Sequence, residues 1–242
     1  MSETPVDHPS GSLQRLQAVL FDMDGTLVET EDLWGEAMYA LAAQLGGALS
    51  AEARERTAGT SMLAAMEIIY ADLGLDPAIQ DAEADARWVE DETAALMTSR
   101  GMPWRPGARE LLATVRAAGL RTALVTTTPR RVAELVLDRI TAELGTDPFD
   151  VTVCGDEAGA RKPDPAPYRK AMTDLDVDPA SSLVIEDSLV GTTSGLAAGA
   201  SVLGVPLVQR LQPQPGLTLR LSLEGLTIED LDGFLAVGSP AA

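Results

Sequence analysis

Two carboxylates one residue apart, Asp22 and Asp24, follow a short apolar run, Ala18 to Phe21, and are followed by Gly25 and Thr26. An apolar run of this length reads as a buried strand. Both acids then leave its C-terminal end, the edge at which open parallel sheets gather ligands. At such a place one carboxylate can attack phosphorus and hold a metal, while its neighbour handles a proton. A solvated acidic turn would show the same two residues, so the pair alone leaves both readings open. A calcium loop does not fit, because it wants glycine at the sixth position and a late Glu, whereas Gly25 would stand fourth.

Three further apolar runs end in residues that could share this chemistry. Thr122 to Val125 runs into Thr126, Thr127 and Thr128, and a hydroxyl followed by exposed amides suits a phosphoryl oxygen. Threonines there also cap helices. The stretch Arg161-Lys162-Pro163 offers a cation to balance two acids and a phosphate; alone, it reads as a solvated basic pair before a proline-opened helix. Leu183-Val184-Ile185 ends in Glu186, Asp187 and Ser188, with Gly191 beyond. A hard divalent cation such as Mg²⁺ wants oxygen ligands and keeps several waters. Candidate metal ligands are Asp22, Asp187, Asp24 through its backbone carbonyl, and Glu186, which is better suited to orienting waters or Lys162. Gly191, Gly195 and Gly199 are spaced for close helix packing, and neither a Walker loop nor a dinucleotide fingerprint is present.

The elements that must position these residues fall into two patterns. Residues 31–100 read as helix throughout, with apolar stripes at Leu33, Ala37, Ala40, Leu41 and Leu45, then at Met62, Met66 and Ile69. Asp76-Pro77 opens a third helix carrying Ile79, Trp88 and Leu96. Methionines and aromatics at such spacing are more often core than ligand contacts. From Met102-Pro103 onward helices and strands alternate. The predicted strands are Arg121 to Val125, Phe149 to Cys154, Ser182 to Ile185 and Ser201 to Val205. The predicted helices are Ala108 to Ala118, Pro129 to Leu144, Pro165 to Asp174 and Thr192 to Ala198. Beyond Leu211 only a short helix, Ile228 to Leu235, is predicted. Alternation of this kind specifies an α/β fold with a parallel sheet, and makes the helical block an insertion after the first strand.

Composition removes other classes. The chain has 242 residues and a net charge of −19, which argues against nucleic acid or an anionic membrane as partner. An anionic substrate therefore needs a local cation or metal. Cys154 is the single cysteine, so no intrachain disulfide forms and a reducing compartment fits; it reads as a buried strand residue. The single histidine, His8, falls in a polar stretch, residues 1–14, that reads as a flexible tail. Ser-His-Asp, Cys-His and His-based zinc sites thus lack their parts. No signal core or membrane span is evident, and a cytoplasmic location is expected.

In this order, each after a strand, the four motifs resemble those of the haloacid-dehalogenase-like (HAD) phosphohydrolases, over about Leu16 to Val208. The early helical block is similar to the small cap of the sugar-phosphatase and β-phosphoglucomutase-like subgroup. The resemblance implies a Rossmann-like core over residues 15–30 and 103–242, with an all-helical cap domain over 31–102. It also implies Mg²⁺-dependent phosphoryl transfer through an aspartyl-phosphate. Asp22 matches the nucleophile, Asp24 the general acid/base, Thr126 the second motif, and Lys162 the third. Gly25, Thr127, Met62 and Trp88 are the expected substrate contacts. Dehalogenases of the superfamily lack an acid at the position of Asp24. The phosphonatase branch supplies a cap lysine, and residues 31–100 contain none. Glu29 stands where the family usually has Asp. Gly59-Thr60-Ser61-Met62 matches a mutase stretch that ends in Arg, so that phosphate-holding cation is missing, although Arg54, Arg56 or Arg87 could substitute from elsewhere on the cap; hydrolysis of a small phosphorylated metabolite is favoured. A sugar-phosphate mutase and a non-catalytic binder of the same fold are the alternatives; a monomer or weak homodimer is expected.

Overall fold

The first strand, β1 (Ala18–Phe21), is buried along its whole length, as a strand covered on both faces must be. In the computed structural model, which describes residues 16–235, β1 lies inside a six-stranded parallel sheet of order β3-β2-β1-β4-β5-β6. The others are β2 (Arg121–Val125), β3 (Val151–Val153), β4 (Ser182–Glu186), β5 (Ser201–Gly204) and β6 (Leu217–Leu219). Strand order reverses beside β1, so a crevice opens between the C-terminal ends of β1 and β4. Successive residues of β1 serve opposite faces, as the two-residue period requires. Val19 and Phe21 pack into one apolar cluster, Ala18 and Leu20 into the other. The second cluster is closed by Tyr168, Ala171, Met172 and Leu175 of α7 (Ala166–Leu175).

Between residues 30 and 101 the chain forms four α-helices: α1 (Glu31–Gln44), α2 (Ala51–Thr57), α3 (Met62–Leu73) and α4 (Ala82–Arg100). The remaining helices are α5 (Ala108–Ala117), α6 (Arg130–Leu144), α8 (Leu189–Ala197) and α9 (Ile228–Gly233). The first cluster runs without a break from the sheet into this insertion, through Trp34, Met38, Met66 and Met97. The two linkers joining insertion to sheet run beside each other. Val28 bridges Trp104 in antiparallel fashion, the Glu29 N–H donates to Pro103 O at 2.8 Å, and the Arg105 N–H donates to Leu27 O at 2.9 Å. The Arg105–Glu29 ion pair, 2.6 Å, fastens the same point.

Four expectations need correction. The sheet has a sixth strand, β6, where none was predicted. Strand β3 covers only three residues, Val151–Val153, rather than Phe149 to Cys154. The third predicted helix does not start at Pro77: Asp76 caps a single 3-10 turn, Pro77–Ile79, and α4 starts afresh behind Asp81, whose side chain accepts from the Ala84 N–H. Ile79 is consequently 77% exposed rather than part of an apolar stripe. A short helix, α2, also precedes the Met62 stripe. The expected tail, with His8, lies outside the described residues.

Candidate active site

The parallel register sets the site. Pairing of Phe21 with both Leu124 and Ile185 brings the residues that follow β1, β2 and β4 to one edge. Asp22 leaves β1 with its N–H donating to Ile185 O at 3.0 Å. Its Oδ1 accepts from Lys162 Nζ at 2.6 Å, and its Oδ2 accepts no hydrogen bond among the described residues. Lys162 is buried and spends its other protons on Glu186 Oε1, 2.6 Å, and Val125 O, 2.8 Å. Tyr168 stacks its ring 4.9 Å from the same ammonium and donates its hydroxyl to Glu186 Oε1 at 2.8 Å. The second Glu186 oxygen accepts from the Ser188 hydroxyl at 3.1 Å. Glu186 is therefore a fixed counter-charge for Lys162, consistent with the expectation that it orients Lys162 more than it binds directly.

Asp187 is buried with a single long contact, the Thr26 hydroxyl donating at 3.3 Å. Gly25 allows this placement. It turns with φ +79°, and a Cβ there would stand 2.4 Å from Asp187 Oδ2. Its N–H is spent on Val28 O, so Gly25 makes room at the site rather than contributing its amide to a substrate. Ligand oxygens of Asp22, Glu186 and Asp187 all lie within 4.8 Å of one another. Burial, then the charge of Glu186, pushes the Asp22 carboxyl up to about 8 against the pull of Lys162. Asp187 is also raised well above its ordinary value, by burial and then by Asp22 and Glu186. Burial works against the Lys162 ammonium, but Asp22 and Glu186 outweigh it and keep its pKa raised. A hard divalent cation fits this donor set: the open oxygens of Asp22 and Asp187 are the ligands such ions take, and the surplus negative charge is what they offset.

Asp24 is held differently. Its Oδ1 accepts from the Thr30 hydroxyl at 2.5 Å and from Trp34 Nε1 at 2.9 Å, its Oδ2 from the Thr128 hydroxyl at 2.7 Å. These donors come from the linker, the first inserted helix and the end of β2. The backbone N–H groups of Met23, Asp24 and Thr127 donate to no protein group among the described residues, so amides remain for an anion. Thr126 is buried, its Oγ1 accepting from the Thr128 N–H at 3.0 Å, which leaves its hydroxyl proton available. A cavity of ≈ 30 Å³ lies above Asp22 and Asp24, walled by Glu31, Trp34, Met38, Thr57, Gly59, Thr60 and Met62 of the insertion and by Thr127, Thr128 and Pro129.

The structure thus brings together Asp22, Asp24, Thr126, Thr127, Lys162, Glu186 and Asp187, with Met62 at the cavity wall. Trp88 is not there. It sits half-buried on α4 against the apolar cluster; the tryptophan that lines the cavity is Trp34. Sequence reasoning also missed Thr30, Glu31, Thr128 and Tyr168. Trp34 stands four residues after Thr30 and could have been found as its neighbour on one helical turn; Tyr168 carried no such signal. Cys154 is buried, its thiol pushed up to about 12 by burial, and serves packing.

The sequence profile of the haloacid dehalogenase-like hydrolases matches residues 16–199. The chain belongs to that family. Protein CbbY of Cereibacter sphaeroides is 33% identical over 190 residues, 76% of this chain and 81% of the relative. The phosphorylated carbohydrates phosphatase of Thermotoga maritima is 32% identical over 184 residues, 76% and 82% of the two chains. A crystal structure of a CbbY variant from Rhodobacter sphaeroides, in complex with xylulose-(1,5)bisphosphate, superposes with a TM-score of 0.76 at 29% identity, covering 92% of this chain and all 100% of the other. The sugar-phosphatase subgroup and the α/β Rossmann-like fold expected from the motifs therefore stand, as does the enzyme class, a HAD-like phosphoric monoester hydrolase. No helix among the described residues is long and apolar enough to cross a membrane.

Proposed function

We propose that the chain hydrolyses a small sugar or polyol phosphate, with Mg²⁺, through an aspartyl-phosphate formed on Asp22. The observation that carries this reading is the unequal treatment of two neighbouring acids. Asp22 is clamped by Lys162 with one oxygen open, while Asp24 is gripped by three donors and lines the same cavity. Asp22 attacks phosphorus, and Asp24 gives its proton to the departing alcohol. Asp24 then takes a proton from the water that attacks the aspartyl-phosphate, releasing inorganic phosphate and restoring both acids. The free amides of Met23, Asp24 and Thr127 and the Thr126 hydroxyl hold the phosphoryl oxygens as charge shifts between them. Asp22, Asp187 and the Asp24 carbonyl would hold Mg²⁺. When bound, the ion offsets the crowded negative charge of carboxylates and phosphate.

Residues 31–102 act as the cap, hinged near Thr30–Asp32 and Gly101–Arg105. The cavity of ≈ 30 Å³ holds about one or two water molecules, so substrate enters when the cap swings away and is shielded when it returns. The resemblance to a phosphorylated carbohydrates phosphatase supports the substrate class.

The test is Asp22→Asn, an isosteric change that removes the nucleophile. Turnover is expected to fall by about a thousandfold or more with an unchanged circular dichroism spectrum. Acid-quenched wild type should retain labelled phosphate covalently, and the variant none. Substantial turnover in Asp22→Asn would sink the assignment, and a rate untouched by exhaustive chelation would remove the metal.

A further inference from the structure

We infer that the ester cleaved has an uncharged, hydroxyl-bearing leaving group: a monophosphate of a neutral sugar or polyol, with no second phosphate and no carboxylate. This rests on the phosphatase reading above and narrows it. The phosphoryl side of the cavity is served by the free amides and the Thr126 hydroxyl, whereas Trp34, Met38, Met62 and Glu31 wall the part contributed by the insertion. Among the described residues, no Lys or Arg lines the cavity. The buried cation of the insertion, Arg54, is committed elsewhere: its Nη2 donates to Glu31 Oε2 at 2.8 Å and Glu31 O at 2.6 Å, and its Nη1 to Thr57 Oγ1 at 3.1 Å.

Glu31 has the opposite character. Its Oε2 is held by Arg54, but its Oε1 accepts no hydrogen bond among the described residues, and the residue lines the cavity while itself buried. An open carboxylate oxygen there is an acceptor for a substrate hydroxyl, through a charge-assisted bond. Toward a carboxylate or second phosphate that oxygen offers no donor, and the Arg54 charge behind it is already taken up by Glu31, so such a group would lose its water without gaining a cation. The apolar faces of Trp34, Met38 and Met62 suit the C–H surfaces between hydroxyls. Farther out, a cleft of ≈ 480 Å³ shares Met62 and Pro129 with the cavity and is lined by Arg87, Arg130, Arg131 and Arg161. Glu83, Glu90, Glu134 and Asp156 line it too and balance those four charges, so it offers no net cation either. The chain therefore parts from the CbbY structure it superposes on, whose ligand is a bisphosphate.

The experiment compares kcat/KM within matched pairs, with p-nitrophenyl phosphate as common reference. The pairs are glycerol 3-phosphate against 3-phosphoglycerate, sorbitol 6-phosphate against 6-phosphogluconate, and xylulose 5-phosphate against xylulose 1,5-bisphosphate. The neutral member of each pair is expected to be favoured by about tenfold or more. Met62→Arg, which places a cation on the wall, and Glu31→Gln, which leaves the Arg54 charge without its carboxylate partner, should each narrow that ratio by about fivefold. Equal or better cleavage of the anionic members, with p-nitrophenyl phosphate still hydrolysed, overturns this inference alone. Ratios unmoved by both substitutions overturn the assignment to this wall. Inertness toward p-nitrophenyl phosphate and every ester overturns the phosphatase reading and this inference with it.

Discussion

Replacing Gly191 with alanine puts a methyl group where the Glu186 carboxylate lies. A Cβ at that position would stand 1.9 Å from Glu186 Cδ and 1.9 and 2.0 Å from its two oxygens. To regain an ordinary contact the carboxyl must retreat by roughly 1.6 Å, which breaks a 2.6 Å bond to Lys162 and a 2.8 Å bond from Tyr168. A hydrogen bond to a charged group contributes about 1.5–3 kcal/mol, and an orphaned buried hydroxyl costs a further ~1–3 kcal/mol. Alanine is favoured over glycine within a helix by ~1 kcal/mol, so the net loss is about 2–5 kcal/mol. At roughly 2–4 °C per kcal/mol for a chain of this size, thermal unfolding should move down by about 10 °C. Turnover should fall about tenfold or more, because Lys162 loses one of its two carboxylate anchors beside Asp22. Glu186→Asp in the Gly191→Ala background shortens the side chain and should recover part of the stability, which a double-mutant cycle would register. A Gly191→Ala protein with wild-type melting and wild-type kcat would refute the claim that this glycine makes space for the Glu186–Lys162–Tyr168 cluster.

Two other expectations follow from the same carboxylates and their neighbours. Asp22 rises from 3.8 to about 8, and Asp187 rises as well, so in the metal-chelated protein the native state keeps protons that the unfolded chain has released. Stability from these groups is then greatest near pH 4 and declines as pH climbs toward 8; in chelator the melting temperature should drop between pH 5 and 8, Mg²⁺ should flatten that drop, and so should Asp187→Asn. A melting temperature that instead rises over this range in chelator contradicts the crowding of acids. Trp34→Phe removes the Nε1 donor 2.9 Å from Asp24 and should cost about tenfold in kcat on alkyl phosphates. On p-nitrophenyl phosphate, whose leaving group needs little protonation, the cost should be small; equal losses on both would mean that Trp34 only packs.

The chemistry was legible because it sits at strand ends. Each of β1, β2 and β4 is an apolar run closed by polar residues, and parallel register carries Asp22, Thr126 and Asp187 to one edge without further instruction. What escaped was set by contacts distant in sequence. Thr128 reaches Asp24 across 104 positions and Lys162 reaches Asp22 across 140; the lysine was flagged by its motif, the threonine only as a neighbour of Thr126. Trp88 and Trp34 look alike as helical aromatics, and only the packed helices of the insertion decide that Trp34 lines the cavity. Strand β6 escaped because Leu217–Leu219 is three residues behind Pro215-Gly216, too short to show alternation. The false start at Pro77 arose because Asp-Pro opens a 3-10 turn as readily as a longer helix; the Ala82 start became visible only with Asp81 capping Ala84.

The lacing of the two linkers, Val28 against Trp104 and Glu29 against Arg105, has an evolutionary side. The chain enters and leaves the insertion at points one strand spacing apart, about 4.8 Å. To the six strands, the whole of residues 31–100 is therefore equivalent to a hairpin turn, and its length costs little in closure. Any helical block whose ends meet at that spacing could be spliced in its place while Asp22, Lys162 and Asp187 stayed where they are. New leaving-group preferences could then be acquired by transplanting one segment, provided the new block brings a donor to Asp24 in place of Trp34.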